Sequence, residues 1–145
     1  MPGSMLNHEN FQLGVDFDDT LFLNAYPGVG WEVPNALATL ERLQAEYKVE
    51  YLLLTLRTGE SLAKALHRVM FDKYSEVRFA AVNDNPVQRM WEAVNDAGRA
   101  AKIHVDALVD DRAVGVPLME FEGHDVVDWA KLEPTLQELL RGGER

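Results

Sequence analysis

Asp16, Asp18 and Asp19 fall within four residues, and a second acidic doublet, Asp110-Asp111, lies far downstream. Carboxylates two apart on extended backbone project to the same side, so Asp16 and Asp18 would converge on one small volume. Like charges held that close are costly unless something positive sits between them. A divalent cation with a phosphate group is the chemistry such a pair suits. A lone D-x-D is more often an acidic turn, because Asp and Thr are ordinary residues for ending a strand and starting a loop. Here the pair directly follows the apolar stretch Phe11-Gln12-Leu13-Gly14-Val15 and is followed by Thr20-Leu21.

The neighbouring elements must hold those side chains in place. Phe11, Leu13 and Val15 alternate in the strand pattern, which predicts a buried strand stopping at Asp16. A loop-like segment with Asn24, Pro27, Gly28 and Gly30 follows and carries two large rings, Tyr26 and Trp31. Pro34 suits the first turn of a helix running to about Tyr47, with Ala36, Leu37, Leu40 and Leu43 as its apolar face. Val49 to Thr55 is a continuous apolar run of strand length that ends in a hydroxyl. After Leu56-Arg57-Thr58-Gly59 a helix is predicted from Glu60 to about Tyr74, which brings free backbone N–H groups and the Arg57 guanidinium toward the same anion site.

Val77 to Val82 reads as a third strand, and Asn83-Asp84-Asn85-Pro86 as a turn at the same sheet edge leading into a helix that ends near Gly98. Asn83 could face a substrate there, although Asn in a turn more often serves the backbone. Lys102 precedes a fourth strand, Val105 to Val109, which Asp110-Asp111 terminates. Beyond Arg112 come a hydrophobic hook at Val114 to Pro117, a short strand at Val126-Val127 and an amphipathic helix over Leu132 to Leu140, beginning after Asp128 or Pro134. Strands alternating with helices of this length indicate α/β architecture with a mainly parallel central sheet. In such sheets ligands bind at the carboxyl ends of strands, where these polar groups fall.

The hydrophobic run followed by D-x-D-x-T-L at Asp16, Asp18 and Thr20 resembles the first motif of the haloacid dehalogenase (HAD) superfamily of phosphatases and phosphotransferases. Thr55 fills the position of its second motif, and Lys102 and Asp110-Asp111 match the later ones in order and approximate spacing. The runs Tyr26 to Pro34, Thr55 to Gly59 and Val109 to Gly115 are similar to a small capless hydrolase group of bacteria and phages within that superfamily. The same D-x-D-D-T string is the protonating motif of class II terpene cyclases, but those are large all-helical proteins. Asp19 departs from the glycine common between the second Asp and the Thr, and it is expected to turn outward.

The resemblance implies a three-layer Rossmann-like sandwich over residues 11–145, HAD-like and capless, acting as a magnesium-dependent phosphatase. Asp16 would be the nucleophile and Asp18 the acid and base. Thr55, Lys102 and Arg57 would bind phosphate, and Asp16, Asp18, Asp110 and Asp111 would hold magnesium, Asp18 through its backbone carbonyl. Without a cap, the phosphorylated substrate would be large or covered by another subunit, as in a homo-oligomer, with Tyr26, Trp31 and Asn83 as rim residues. A phosphotransferase, or a non-catalytic module binding a phosphorylated partner, is the alternative.

Composition narrows the class. With 145 residues, 47% hydrophobic and 26% charged, the sequence describes one soluble globular domain. A formal charge of −10 argues against nonspecific nucleic-acid binding, because the summed field repels polyanions. Without cysteine there is no disulfide, thiol nucleophile or thiolate metal site, which fits a reducing cytoplasm. Residues 1–10 read as a tail, Met1-Pro2-Gly3-Ser4 resembling a vector-derived addition, with no targeting signal and no membrane-spanning stretch. His8, His67, His104 and His124 share no metal-like spacing.

Overall fold

The computed structural model describes residues 10–71 and 75–143. The expected N-terminal addition, His8 and the Tyr74 end of the second helix lie outside them. Phe11–Asp16 forms β1, with Leu13 and Val15 fully buried on one face. Gly14 faces the other way, and there a Cβ would come within 2.9 Å of Val105 Cγ1 and 3.0 Å of Leu54 Cδ1. Glycine therefore allows the central strand its close neighbours. Phe22–Ala25 (β2) and Gly28–Glu32 (β3) pair as an antiparallel hairpin inside the segment expected to be a loop.

Ala36–Glu46 is α1, beginning two residues after Pro34 because Asn35 adopts a left-handed conformation, φ 66°, incompatible with a helical turn. Val49–Leu54 is β4 and Gly59–Met70 is α2. Phe79–Val82 forms β5, shorter than expected because the Gln44 side chain occupies both backbone groups of Arg78, accepting from its N–H and donating to its carbonyl. Pro86–Val94 is α3, with Asn85 as a buried N-cap accepting from the N–H groups of Val87 and Gln88.

The fourth strand, β6, spans only Ala107–Val109, since the Asp106 carboxylate takes the Gln12 N–H that would otherwise extend the ladder. Leu118–Phe121 (β7) and His124–Val127 (β8) form a second hairpin, of which the first strand was not expected. Helix α4, Trp129–Gly143, starts at Asp128, whose carboxylate accepts from the Lys131 N–H, so Pro134 lies inside the helix.

The main sheet is parallel with order β5-β4-β1-β6. Leu13, Val15 and Phe17 join Tyr51, Leu53 and Val109 in one apolar cluster with Leu40 and Leu43 of α1, Ala65 and Val69 of α2, and Leu136 and Leu140 of α4. On the opposite face Gln12 exchanges hydrogen bonds with Asn85 at the head of α3. Helices thus cover both faces, the arrangement expected of a Rossmann-like α/β fold. The chain winds from β1 outward through β4 and β5, then returns to the far side of β1 for β6. The winding direction reverses between β1 and β6, the place where open α/β sheets bind ligands.

Candidate functional site

Parallel register brings the chemistry together. Val15 pairs with Val109 and Asp16 with Leu54, so Asp110, Thr55 and Asp16 emerge at one sheet edge, beside the switch point. Asp16, Asp110 and Asp111 each place a carboxylate oxygen within 4.8 Å of the others. An all-oxygen donor set of this kind fits a hard divalent cation. The carboxylates respond to one another as such crowding requires. The Asp16 carboxyl is pushed up to about 8, first by burial, then by the charge of Asp110 and a hydrogen bond with Asp111. Asp111 is raised as well, mainly by burial, while its bond to Asp16 works the other way. Both shifts run upward, so the crowded carboxyls together favour keeping a proton when no cation lies between them.

Thr20 ties the site together from below. Its fully buried hydroxyl donates to Asp16 Oδ2 at 3.1 Å and accepts from the Asp111 N–H at 3.1 Å, and its carbonyl accepts from Trp129 Nε1 at 2.7 Å. One residue therefore links β1, the turn after β6 and α4. Thr20→Val keeps the shape but strands both hydroxyl partners, with an expected loss of about 1–3 kcal/mol. Calorimetric melting should show a fall of roughly 3–8 °C, which Thr20→Ser avoids.

Asp18 does not join the carboxylate cluster through its side chain. Arg57, 2% exposed, grips it with Nε to Oδ2 at 2.9 Å and Nη2 to Oδ1 at 2.7 Å. The other guanidinium hydrogens go to the carbonyls of Gly28, Pro27 and Ser61. All five donors are occupied, so the phosphate-binding role expected of Arg57 is not available in this geometry. The arginine instead ties the β2–β3 hairpin to the head of α2, with Phe17 and Tyr26 against its plane at 5.2 and 5.4 Å.

Thr55 stands just beyond β4, its hydroxyl accepting from the Arg57 N–H and its own N–H donating to Asn83 Oδ1. Asn83, at φ 51°, thus serves the backbone rather than a ligand. A cleft of about 550 Å³ is lined by Asp16, Asp18, Asp19, Asn24, Tyr26, Leu56, Arg57, Asp110, Asp111 and Arg112. Tyr26 is on its rim as expected, whereas Trp31 is exposed on β3 and absent from the lining. Lys102 is also absent: it is exposed, its carbonyl held by Gln88 Nε2 at 2.8 Å.

Asp19 does not turn away from the cleft. It takes φ 59°, which accounts for a glycine preference there, accepts from the Asn24 N–H and lies 3.2 Å from His124 Nδ1. The contributions of Asn24, Leu56, Arg112 and His124 were missed in the sequence. Arg112 alone left a trace, standing next to the acidic doublet.

No protein-family model matches the chain, and no curated protein does. Among solved structures, the conserved protein coded by a locus from Bacteroides thetaiotaomicron is similar, with 29% identity and a TM-score of 0.68. The match covers 90% of this chain and 92% of that one, so the likeness extends over the whole α/β fold.

Proposed function

We propose that the chain is a capless HAD-type phosphohydrolase that cleaves a phosphate monoester through an aspartyl-phosphate. The observation that carries this reading is the convergence of Asp16 with Asp110 and Asp111 at the switch point, with Asp18 two residues on along the same cleft. Magnesium, held by Asp16, Asp110 and Asp111, would supply the positive charge that phosphoryl transfer requires. The ionised Asp16 carboxylate is the form able to attack phosphorus, and a cation held beside it would favour that form.

In the first step an Asp16 oxygen bonds to phosphorus and the ester bond breaks, the leaving oxygen taking a proton from Asp18, which enters this step as the carboxylic acid and leaves it as the carboxylate that Arg57 grips. In the second, water attacks phosphorus, gives its proton to Asp18 and releases Asp16. Arg57 fixes the Asp18 carboxylate in orientation, and each oxygen keeps a second lone pair for that proton. Thr55 stands at the same sheet edge and keeps its hydroxyl hydrogen, since it accepts from the Arg57 N–H, but like Lys102 it is outside the cleft lining. The β2–β3 hairpin is too small to be a separate cap, which leaves the leaving group to be read at the open rim by Tyr26 and Leu56.

Phosphate release from p-nitrophenyl phosphate with and without magnesium tests the reading. Turnover should require the cation and fall by 10³-fold or more, roughly, in Asp16→Asn. Undiminished turnover in that variant would rule out Asp16 as the nucleophile, and none in the wild type across a broad ester screen would rule hydrolysis out. Transfer to an added acceptor without matching phosphate release would identify a phosphotransferase instead.

A further inference from the structure

We propose that Arg112 supplies the protein's own positive charge to the phosphoryl group, the part that the sequence resemblance gives to Lys102. The proposal rests on the cleft binding a phosphoryl group, and it adds the residue that makes this possible. Five carboxylates line the cleft, from Asp16, Asp18, Asp19, Asp110 and Asp111, within a chain of net charge −10. A phosphate dianion entering there meets strong repulsion, and one divalent cation cannot balance all of it.

Two cationic side chains line the cleft, Arg57 and Arg112. Arg57 has committed every N–H to Asp18 and to three backbone carbonyls. Arg112 is different. Its backbone is fixed, the N–H donating to Asp110 Oδ1 at 2.9 Å in a turn that the Ala113 N–H to Asp110 carbonyl bond closes at 3.0 Å. Its exposed guanidinium, although it follows two carboxylates in the chain, makes no ion pair with any described residue.

An ordinary surface arginine would also be exposed, but it would not line the one cleft where the acidic residues converge. A fixed turn with an uncommitted planar fork is what bidentate phosphate recognition uses. Lys102 does not share this placement: it is outside the lining, on the loop that Gln88 draws onto α3.

The test is calorimetric titration of inorganic phosphate into the full chain at saturating magnesium, using wild type, Arg112→Gln, Arg112→Lys and Lys102→Gln. Arg112→Gln should weaken phosphate by about 10-fold or more, and Arg112→Lys by less, because an ammonium keeps the charge without the fork. Magnesium affinity, titrated without phosphate, should be unchanged or tighter in Arg112→Gln, since the loss of a nearby cation can only favour a second one. Phosphate binding unaltered by Arg112→Gln, an equal loss in Lys102→Gln, or no phosphate binding by the wild type would each overturn the proposal. Hydrolysis of p-nitrophenyl phosphate reports separately: Arg112-dependent phosphate binding without turnover sinks the phosphohydrolase and keeps this site. Turnover and phosphate binding that both ignore Arg112 do the reverse.

Discussion

Asp16→Asn is expected to raise the melting temperature of the metal-free protein at pH 8 even as it removes the proposed nucleophile. The Asp16 carboxyl rises from 3.8 to about 8 on folding, through burial first and the Asp110 charge second. Between those values the native state holds a proton that the unfolded chain releases, so stability is greatest below the lower value and declines as pH climbs toward the upper one. A rigid, dry site would lose about 1.4 kcal/mol per pH unit across that window. Water in the open cleft screens the charges, and a total loss on the order of 2–3 kcal/mol is expected by pH 8. Asparagine has nearly the same shape, carries no proton to lose, and keeps an oxygen for the Thr20 hydroxyl to donate to.

The variant should therefore melt roughly 6–9 °C above wild type at pH 8 and close to it at pH 4–5. Asp84 and Glu92, whose carboxyls are lowered by backbone hydrogen bonds, act in the opposite sense but only in acid, where both profiles should fall together. If the proposed magnesium site exists, the cation should close the gap at pH 8 at a hundred times its dissociation constant, where it is worth about 2.7 kcal/mol to the folded wild type, and reverse the order at a thousand times, where it is worth about 4.1 kcal/mol. Two parallel melting profiles from pH 5 to 8 would mean that Asp16 does not share a crowded, proton-holding site.

The site was legible in the sequence where local pattern decides the geometry, and opaque where distant contacts do. Alternation in Phe11 to Val15 and the apolar run of Tyr51 to Leu54 are enough to mark two neighbouring central strands, and an acid or hydroxyl at the end of each marks the shared edge. Strand β6 was expected two residues too long because the Asp106 side chain, far from Gln12 in sequence, replaces a backbone partner. Lys102 was expected at the site by its place in the chain, yet its loop follows Gln88, whose amide takes the Lys102 carbonyl and the His104 N–H. Thr55-Leu56-Arg57 carries a guanidinium to the candidate cleft in either reading. Whether it faces a ligand or Asp18 depends on the carbonyls of Pro27 and Gly28, which the intervening hairpin delivers. Asp19 could not be placed from its polarity, because its position is set by a left-handed backbone and by His124 from the second hairpin.

Arg57→Met is expected to cost the fold about 3–5 kcal/mol, the loss typical of removing one partner from a buried ion pair. The substitution keeps much of the stem's volume, so the loss is electrical rather than a packing defect. Asp18, with 24% of its side chain exposed, is left charged without its fork, and three backbone carbonyls lose their donor at once. Urea unfolding should show a lower midpoint with an unchanged slope. Arg57→Lys should recover only part of the difference, because one nitrogen with three hydrogens cannot serve a two-oxygen carboxylate and the carbonyls of Pro27, Gly28 and Ser61 together. Asp18→Asn removes the charge that Arg57→Met abandons, so the double variant should be less damaged than the two single losses add up to, by more than about 1 kcal/mol. Strict additivity would mean that Arg57 holds the hairpin and Asp18 independently. Arg57→Met within about 1 kcal/mol of wild type would mean that it holds neither, since surface ion pairs of little consequence lie in that range. The coupled outcome fits a guanidinium that sets the orientation of the proposed acid and base by the same bonds that fasten the β2–β3 hairpin to α2.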